Sequence, residues 1–238
     1  MKKIVLLLIA IIMCFTLTGC GAKPVDSNKS FGKYTGIYKL KNMELRIVHY
    51  KNELLVLLRK DGEPYGNTSV TLEGNKFSDL DCEFELKNDS IKVTTDKKDM
   101  PKGDYIRIKP YSTKKIYKDY IGDISYVDNN NGIYENNDIV VYTVRSREDT
   151  TRIAYAYKDM SANIDLRKEN DTHFKTEIFG DIYDLKYNND ELEIKVESES
   201  DAKIINGTYK RKDKLTAVKA IQIFVFEDYR KDSIGQYE

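Results

Sequence analysis

Two histidines, His49 and His173, and a cysteine at position 82 are the side chains of this chain best suited to nucleophilic or general-base chemistry. No Gly-x-Ser-x-Gly elbow accompanies them, so a hydrolase triad has no local support in the sequence. His49 is in phase with Leu45 and Ile47, which predicts a partly buried strand position near a rim. His173 lies among Asn170, Asp171 and Thr172, a turn-like setting that predicts a solvated ring. Asp79, Asp81, Glu83 and Glu85 surround Cys82, and their charge disfavours the thiolate. The same residue alternates with Phe84 and Leu86, so a small core side chain is expected.

Oxygen ligands are more plentiful. Asp128, Asn130 and Gly132 stand in Asp-Asn-Asn-Asn-Gly, followed by Glu135 and Asp138, a loop rich enough in oxygen to suggest Ca²⁺. The glycine falls one place early for a helix–loop–helix calcium site, and no bidentate glutamate closes the loop, so a plain hairpin loop is the expectation. No Cys/His cluster suggests zinc, and no cofactor is predicted. The 39 acidic residues allow a pair of carboxylates for glycoside hydrolysis but single out none. Eighteen tyrosines could line a binding face, but in a β-rich chain without Trp strand pairing is the expected role.

The elements that must carry these residues begin with an unusual leader. Lys2 and Lys3 precede an apolar run from Ile4 to Phe15, too short for a permanent span and fitting a secretory signal. The run ends in Leu17-Thr18-Gly19-Cys20, which resembles the lipobox of bacterial lipoproteins. That resemblance implies cleavage before Cys20, a diacylglyceryl thioether on its sulfur, often palmitate on the new amine, and attachment to the outer face of a membrane. Two or three acyl chains suffice for lasting attachment. Lys2 and Lys3 are the only charged residues removed with the signal. The balance of 39 basic and 39 acidic residues therefore becomes an acidic excess of two. Such a chain has no surplus of cations to neutralise a phosphate backbone, so nucleic acid is not expected as a partner. Cys14 leaves with the signal and Cys20 is lipidated. Cys82 then stands alone and no internal disulfide can form. The bias to Lys, Asn, Asp, Ile and Tyr fits an AT-rich coding sequence and favours a Gram-positive cell surface.

Residues 20–33 are polar and aperiodic and read as a flexible tether. Beyond them, short β-branched and aromatic runs alternate with turn signals such as Asp61-Gly62, Gly74-Asn75 and Asn206-Gly207. The pattern occurs twice. Gly36-Ile37-Tyr38 returns 96 residues later as Gly132-Ile133-Tyr134. The segment 88–93 returns at 189–196, and Gly103-Asp104-Tyr105 returns as Gly207-Thr208-Tyr209. Eight strands are predicted in the first copy, around Tyr38 and at 44–50, 54–59, 68–73, 76–80, 82–87, 90–95 and 104–109.

The fold expected is all-β. Two tandem small antiparallel domains, barrels or sandwiches, occupy 34–110 and 122–238, joined by a connector at 111–121 with a helical turn. Their meander is similar to that of lipocalin-like barrels. Eight short strands leave an interior that side chains fill, which places a binding site at a rim or between domains. Leu215 to Phe226 carries both a β-branched stretch and a helical stripe, and a strand is the expectation. Leu54 to Leu58 and Ile139 to Tyr142 are apolar on both faces, which demands cover for the second face. Leu54, Val56, Leu58, Val140 and Tyr142 are therefore candidate interface residues. The function expected is that of a non-enzymatic, membrane-anchored protein binding a protein, an envelope polymer or a small apolar ligand. An envelope hydrolase with acidic residues, or an accessory subunit of a membrane complex, is the alternative.

Overall fold

The computed structural model of the chain describes residues 30–79, 81–126, 130–137, 139–158 and 160–229. Asp128 and Asp138 of the oxygen-rich loop, Cys20 and the whole leader lie outside them. Among the described residues no helix is long and apolar enough to cross a membrane.

The fold is all-β, with two eight-stranded barrel-like sheets in tandem. The first comprises β1 (Gly36–Leu40), β2 (Met43–Tyr50), β3 (Glu53–Lys60), β4 (Glu63–Thr71), β5 (Lys76–Asp79), β6 (Cys82–Leu86), β7 (Ser90–Thr95) and β8 (Gly103–Lys109). Helix α1 (Thr113–Tyr120) follows. The second comprises β9 (Gly132–Glu135), β10 (Val140–Arg147), β11 (Thr150–Tyr157), β12 (Met160–Asn170), β13 (His173–Ile178), β14 (Asp181–Asn188), β15 (Glu191–Glu197) and β16 (Gly207–Lys214). Helix α2 (Ala217–Phe224) closes it. Each unit is thus a meander of eight strands capped by a two-turn helix, and every strand pair is antiparallel.

The eight strands expected in the first copy are found because tight turns punctuate them; seven lie within a residue of their predicted limits, whereas β4 begins five residues before the expected 68. Asp61 and Gly62, both with positive φ (54° and 90°), make the β3–β4 turn that such a dipeptide favours. Period-two alternation sends one side chain in two to the interior. In β15, Leu192, Ile194 and Val196 are buried while the glutamates and Lys195 between them are exposed.

The second sheet closes on itself through β16 and β9, and β12 meets β13 over a short register from Arg167↔Lys175 to Asn170↔His173. In the first sheet β1 pairs with β8, but β4 and β5 form its two edges. Side chains bridge that gap, where the Thr68 hydroxyl donates to Asp79 and the Tyr65 hydroxyl to Asp99.

Large side chains fill both interiors. Tyr38, Met43, Phe84 and Tyr105 are fully buried in the first barrel, and Tyr134, Phe174 and Tyr209 in the second. A third cluster lies between the barrels. It takes Ile37, Val48 and Leu55 from the outer face of the first sheet, Tyr142, Val144 and Ala154 from that of the second, and the apolar sides of α1 and α2.

The helix α2 corrects the strand expected over 215–226. Ala220, Ile221, Ile223 and Phe224 are all buried, so the segment is wrapped in apolar surface on several sides, which suits a buried helix as well as a core strand. The Thr216 hydroxyl accepts from the Lys219 N–H at 3.2 Å and caps the first turn. That cap and the sandwiched position between two sheets decide the conformation against the β-branched propensity of Ile221 and Ile223. The tether also ends earlier than expected. Phe31 is buried against Tyr50, and the Gly32 N–H donates to the His49 carbonyl at 2.6 Å.

Candidate functional site

Each copy is built around one tyrosine and one arginine. In β1, Tyr38 points inward, and its hydroxyl donates to the Tyr34 carbonyl at 2.9 Å. Arg107, in β8, donates to that hydroxyl through Nε and Nη2, at 3.1 and 2.6 Å, and stacks 5.2 Å from the ring centre. The second copy repeats this arrangement. The Tyr134 hydroxyl donates to the Asn130 carbonyl at 3.0 Å, Arg211 donates to Tyr134 at 2.6 Å, and the stacking distance is 5.3 Å. The glycine two places before each tyrosine makes room for the pair. A Cβ on Gly36 would sit 2.9 Å from Arg107 Nε, and one on Gly132 3.0 Å from the Tyr134 ring. The repeated Gly-Ile-Tyr triplet is therefore the footprint of a lock between the first and last strands of each barrel. Burial raises the pKa of Tyr38, against the opposing hydrogen bond and charge of Arg107, so its hydroxyl stays protonated at neutral pH.

The junction between the barrels is the most extensive shared feature of the molecule. On the first barrel, Arg46 of β2 is buried with its guanidinium held by Glu44 and by Asp119 of α1, both at 2.6 Å. Tyr111 donates to the same Asp119 carboxylate at 2.5 Å. Burial works against the charge of Arg46, but the two carboxylates outweigh it and leave the guanidinium more firmly protonated than usual. A second polar clamp ties the far end of the chain back. Asp228, just beyond α2, accepts from Tyr50 at 2.9 Å and from Lys51 at 2.6 Å. Burial would raise the pKa of Asp228, yet these two donors prevail and hold it below the usual carboxylate value. Tyr50 also packs 5.0 Å from the Phe226 ring. The segment 226–229 thus wedges the two barrels together, with charge on one side and aromatic surface on the other.

The candidate interface residues divide between two places. Leu54, Val56 and Leu58 face the interior of the first barrel, which corrects their assignment to an interface. The outward set on β3 is Leu55 and Leu57, and Leu55 is the one buried in the junction. The sequence run was apolar on both faces, so periodicity alone could not say which set pointed inward. Tyr142 belongs to the junction cluster and Val140 packs against it.

The other residues weighed for chemistry are dispersed. Cys82 is buried in the first core, its Sγ 3.4 Å from Met100 Sδ, on the face opposite the acids. His49 is half-buried in β2 and stacks on Tyr34 at 5.3 Å between ring centres. Burial lowers its pKa. The Lys51 carbonyl at Nε2 opposes that effect and the Lys33 charge adds to it. His173 departs from the expected solvated turn. It opens β13, and its Nε2 lies 2.9 Å from Asp184 Oδ1 across the hairpin. That His–Asp pair was invisible in sequence because only the β13–β14 register brings the two together. No hydroxyl or thiol among the described residues bonds to its imidazole. Of the oxygen-rich loop, Asn130 uses its carbonyl on Tyr134 and Thr143, and Glu135 binds Lys212 at 2.6 Å. Among the described residues no three His, Cys, Asp or Glu side chains converge closely enough to hold a metal.

No family model matches this chain, and no curated protein is similar to it. Among solved structures, it is similar to the DNA polymerase III beta subunit of Thermotoga maritima over 80% of its own length and 58% of that chain, with 9% identity and a TM-score of 0.18. Its likeness to a DNA polymerase sliding clamp of Pseudomonas aeruginosa covers 79% of this chain and 60% of that one, with 8% identity and a TM-score of 0.16. The chain spans less than two thirds of either. At these values neither the fold nor the activity of those proteins transfers to it.

Proposed function

We propose that the protein is a lipid-anchored extracytoplasmic binding protein, held at the outer face of the cell membrane through Cys20 and acting without catalysis. The observation that carries this reading is the leader, a basic start and a short apolar run ending in Leu17-Thr18-Gly19-Cys20. The architecture supports it. Interiors packed with Tyr38, Tyr105, Tyr134 and Tyr209 leave recognition to the outer surfaces. The shared junction fixes those surfaces as one body, as a presenter of binding faces requires.

The partner class this reading favours is a component of the envelope, a protein or a polymer, reached from the membrane surface. Substitution of Cys20 by Ser in the producing cell tests the anchor. The parent protein is expected in the membrane fraction, resistant to salt washing and released by detergent. The Cys20→Ser protein is expected as an uncleaved precursor, or shed to the medium, without incorporated palmitate. Equal lipid incorporation in both would refute the proposal.

A further inference from the structure

The chain enters the first barrel across a histidine that is held in one protonation state. The Lys51 carbonyl lies 2.9 Å from His49 Nε2 and can only accept, so Nε2 carries the ring proton of the neutral form. Nδ1 then has only its lone pair, which is buried and meets no hydrogen-bond partner among the described residues. Gly32 is what covers it. A Cβ there would sit 2.1 Å from Nδ1, so the glycine backbone lies directly on that corner of the ring and leaves no room for an acceptor. The Gly32 N–H donates to the His49 carbonyl at 2.6 Å, and the Thr35 hydroxyl accepts from the His49 N–H at 2.9 Å. Phe31 is buried beside Tyr50, and Tyr34 stacks on the imidazole.

A second proton on this ring must go to Nδ1. There it would be a buried, charged donor without an acceptor, which costs more than the unpaired lone pair of a neutral ring. The groups around the ring do not offset that cost. From the entering segment comes Lys33, whose ammonium lies 4.7 Å over the Tyr34 ring. From the β2–β3 hairpin come Tyr50 and Lys51, and Leu54 of β3 lies directly across the ladder. Glu53 lies across from Tyr50, and Asp228, beyond α2, is already bound by Tyr50 and Lys51. Burial disfavours an imidazolium here and the charge of Lys33 adds to it, against the Lys51 carbonyl. Lifting Gly32 opens Nδ1 to water and takes Lys33 away. The lift gives up the Gly32 N–H bond and the burial of Phe31, while the Tyr34 carbonyl can stay on the Tyr38 hydroxyl and serve as the hinge.

We propose that residues 30–33 form an acid-sensitive latch, in which protonation of His49 at Nδ1 lifts Gly32 from the ring and carries Phe31 off Tyr50. The closed form holds a neutral ring and the lifted form takes up a proton from solvent, so the lifted population grows as pH falls. Linkage sets that growth at up to about tenfold per pH unit below the ordinary histidine value of about 6.5. The test is hydrogen exchange of the Gly32 amide in the whole chain between about pH 7 and pH 5, corrected for the intrinsic rate at each pH. Gly32 protection is expected to fall about tenfold over that range, while the Leu192 and Ile194 amides of β15 keep theirs. His49→Gln, which cannot take up the proton, is expected to hold Gly32 protection level throughout. Gly32→Ala, whose methyl would overlap Nδ1, is expected to stay folded with the segment already lifted at neutral pH, its residue-32 amide exchanging fast at every pH. The proposal is overturned if the Gly32 amide of the parent keeps its protection in acid, or loses it equally in the His49→Gln chain. Equal losses at Leu192 and Ile194, or a Gly32→Ala chain as protected at that position as the parent, overturn it as well.

Discussion

Arg107 and Arg211 each combine a bidentate or single hydrogen bond to a buried tyrosine hydroxyl with a stacked contact on its ring. A lysine offers a point charge in place of that planar fork. Arg211→Lys is expected to destabilise the second barrel by about 1–2 kcal/mol, read from urea unfolding midpoints with an unchanged slope. His49 gives a pH dependence whose sign is fixed by burial. Its folded-state pKa lies below the ordinary histidine value, so the unfolded chain binds the extra proton first and stability falls as pH drops through that value. His49→Gln should flatten the stability profile between about pH 7 and pH 5, a window above the ordinary carboxylate range. A slope unchanged by the substitution would remove His49 from the account. The Gly-Ile-Tyr triplets were legible as repeats from the sequence. Their arginine partners were not, because they lie 69 and 77 residues further along and no local pattern marks them.

At the scale of elements, the strands were the readable part. Alternation and turn residues located all eight of the first copy, because a half-buried strand and a tight turn both leave marks within a few residues. The helices were harder. Ser112 and the apolar residues at 116, 117, 120 and 121 were enough to predict a turn of helix, and α1 is found there. In α2 burial on several sides erased the polar face that would have distinguished helix from strand. The same blurring misassigned Leu54, Val56 and Leu58. A strand between a barrel core and a domain junction is apolar on both faces, and only the tertiary structure says which side is which. The position of α2 between the barrels predicts a large penalty for hollowing it. Ile221→Ala, at a fully buried site, should cost about 3 kcal/mol, measured by chemical denaturation. A cost under about 1 kcal/mol would mean that the junction cluster is not tightly packed.

The whole molecule is one unit used twice and fastened in the middle. The fastening draws on both ends of the described chain, since Phe31 packs on Tyr50 and Asp228 binds Tyr50 and Lys51. The depressed pKa of Asp228 makes its contribution present above the ordinary carboxylate value of 3.8 and lost as pH falls through its folded-state value. Asp228→Asn is therefore expected to lower stability near neutral pH by about 1 kcal/mol and to match the parent in strong acid, where the aspartate is protonated too. Calorimetry across pH would show two curves converging at the acid end.

Mass spectrometry of the amino-terminal peptide from the producing cell reads the state of Cys20 directly. A mature chain that begins at Cys20 and carries the added mass of a diacylglyceryl group, with or without an acyl group on the amine, is expected. An amino terminus elsewhere, or an unmodified Cys20 thiol, would contradict it.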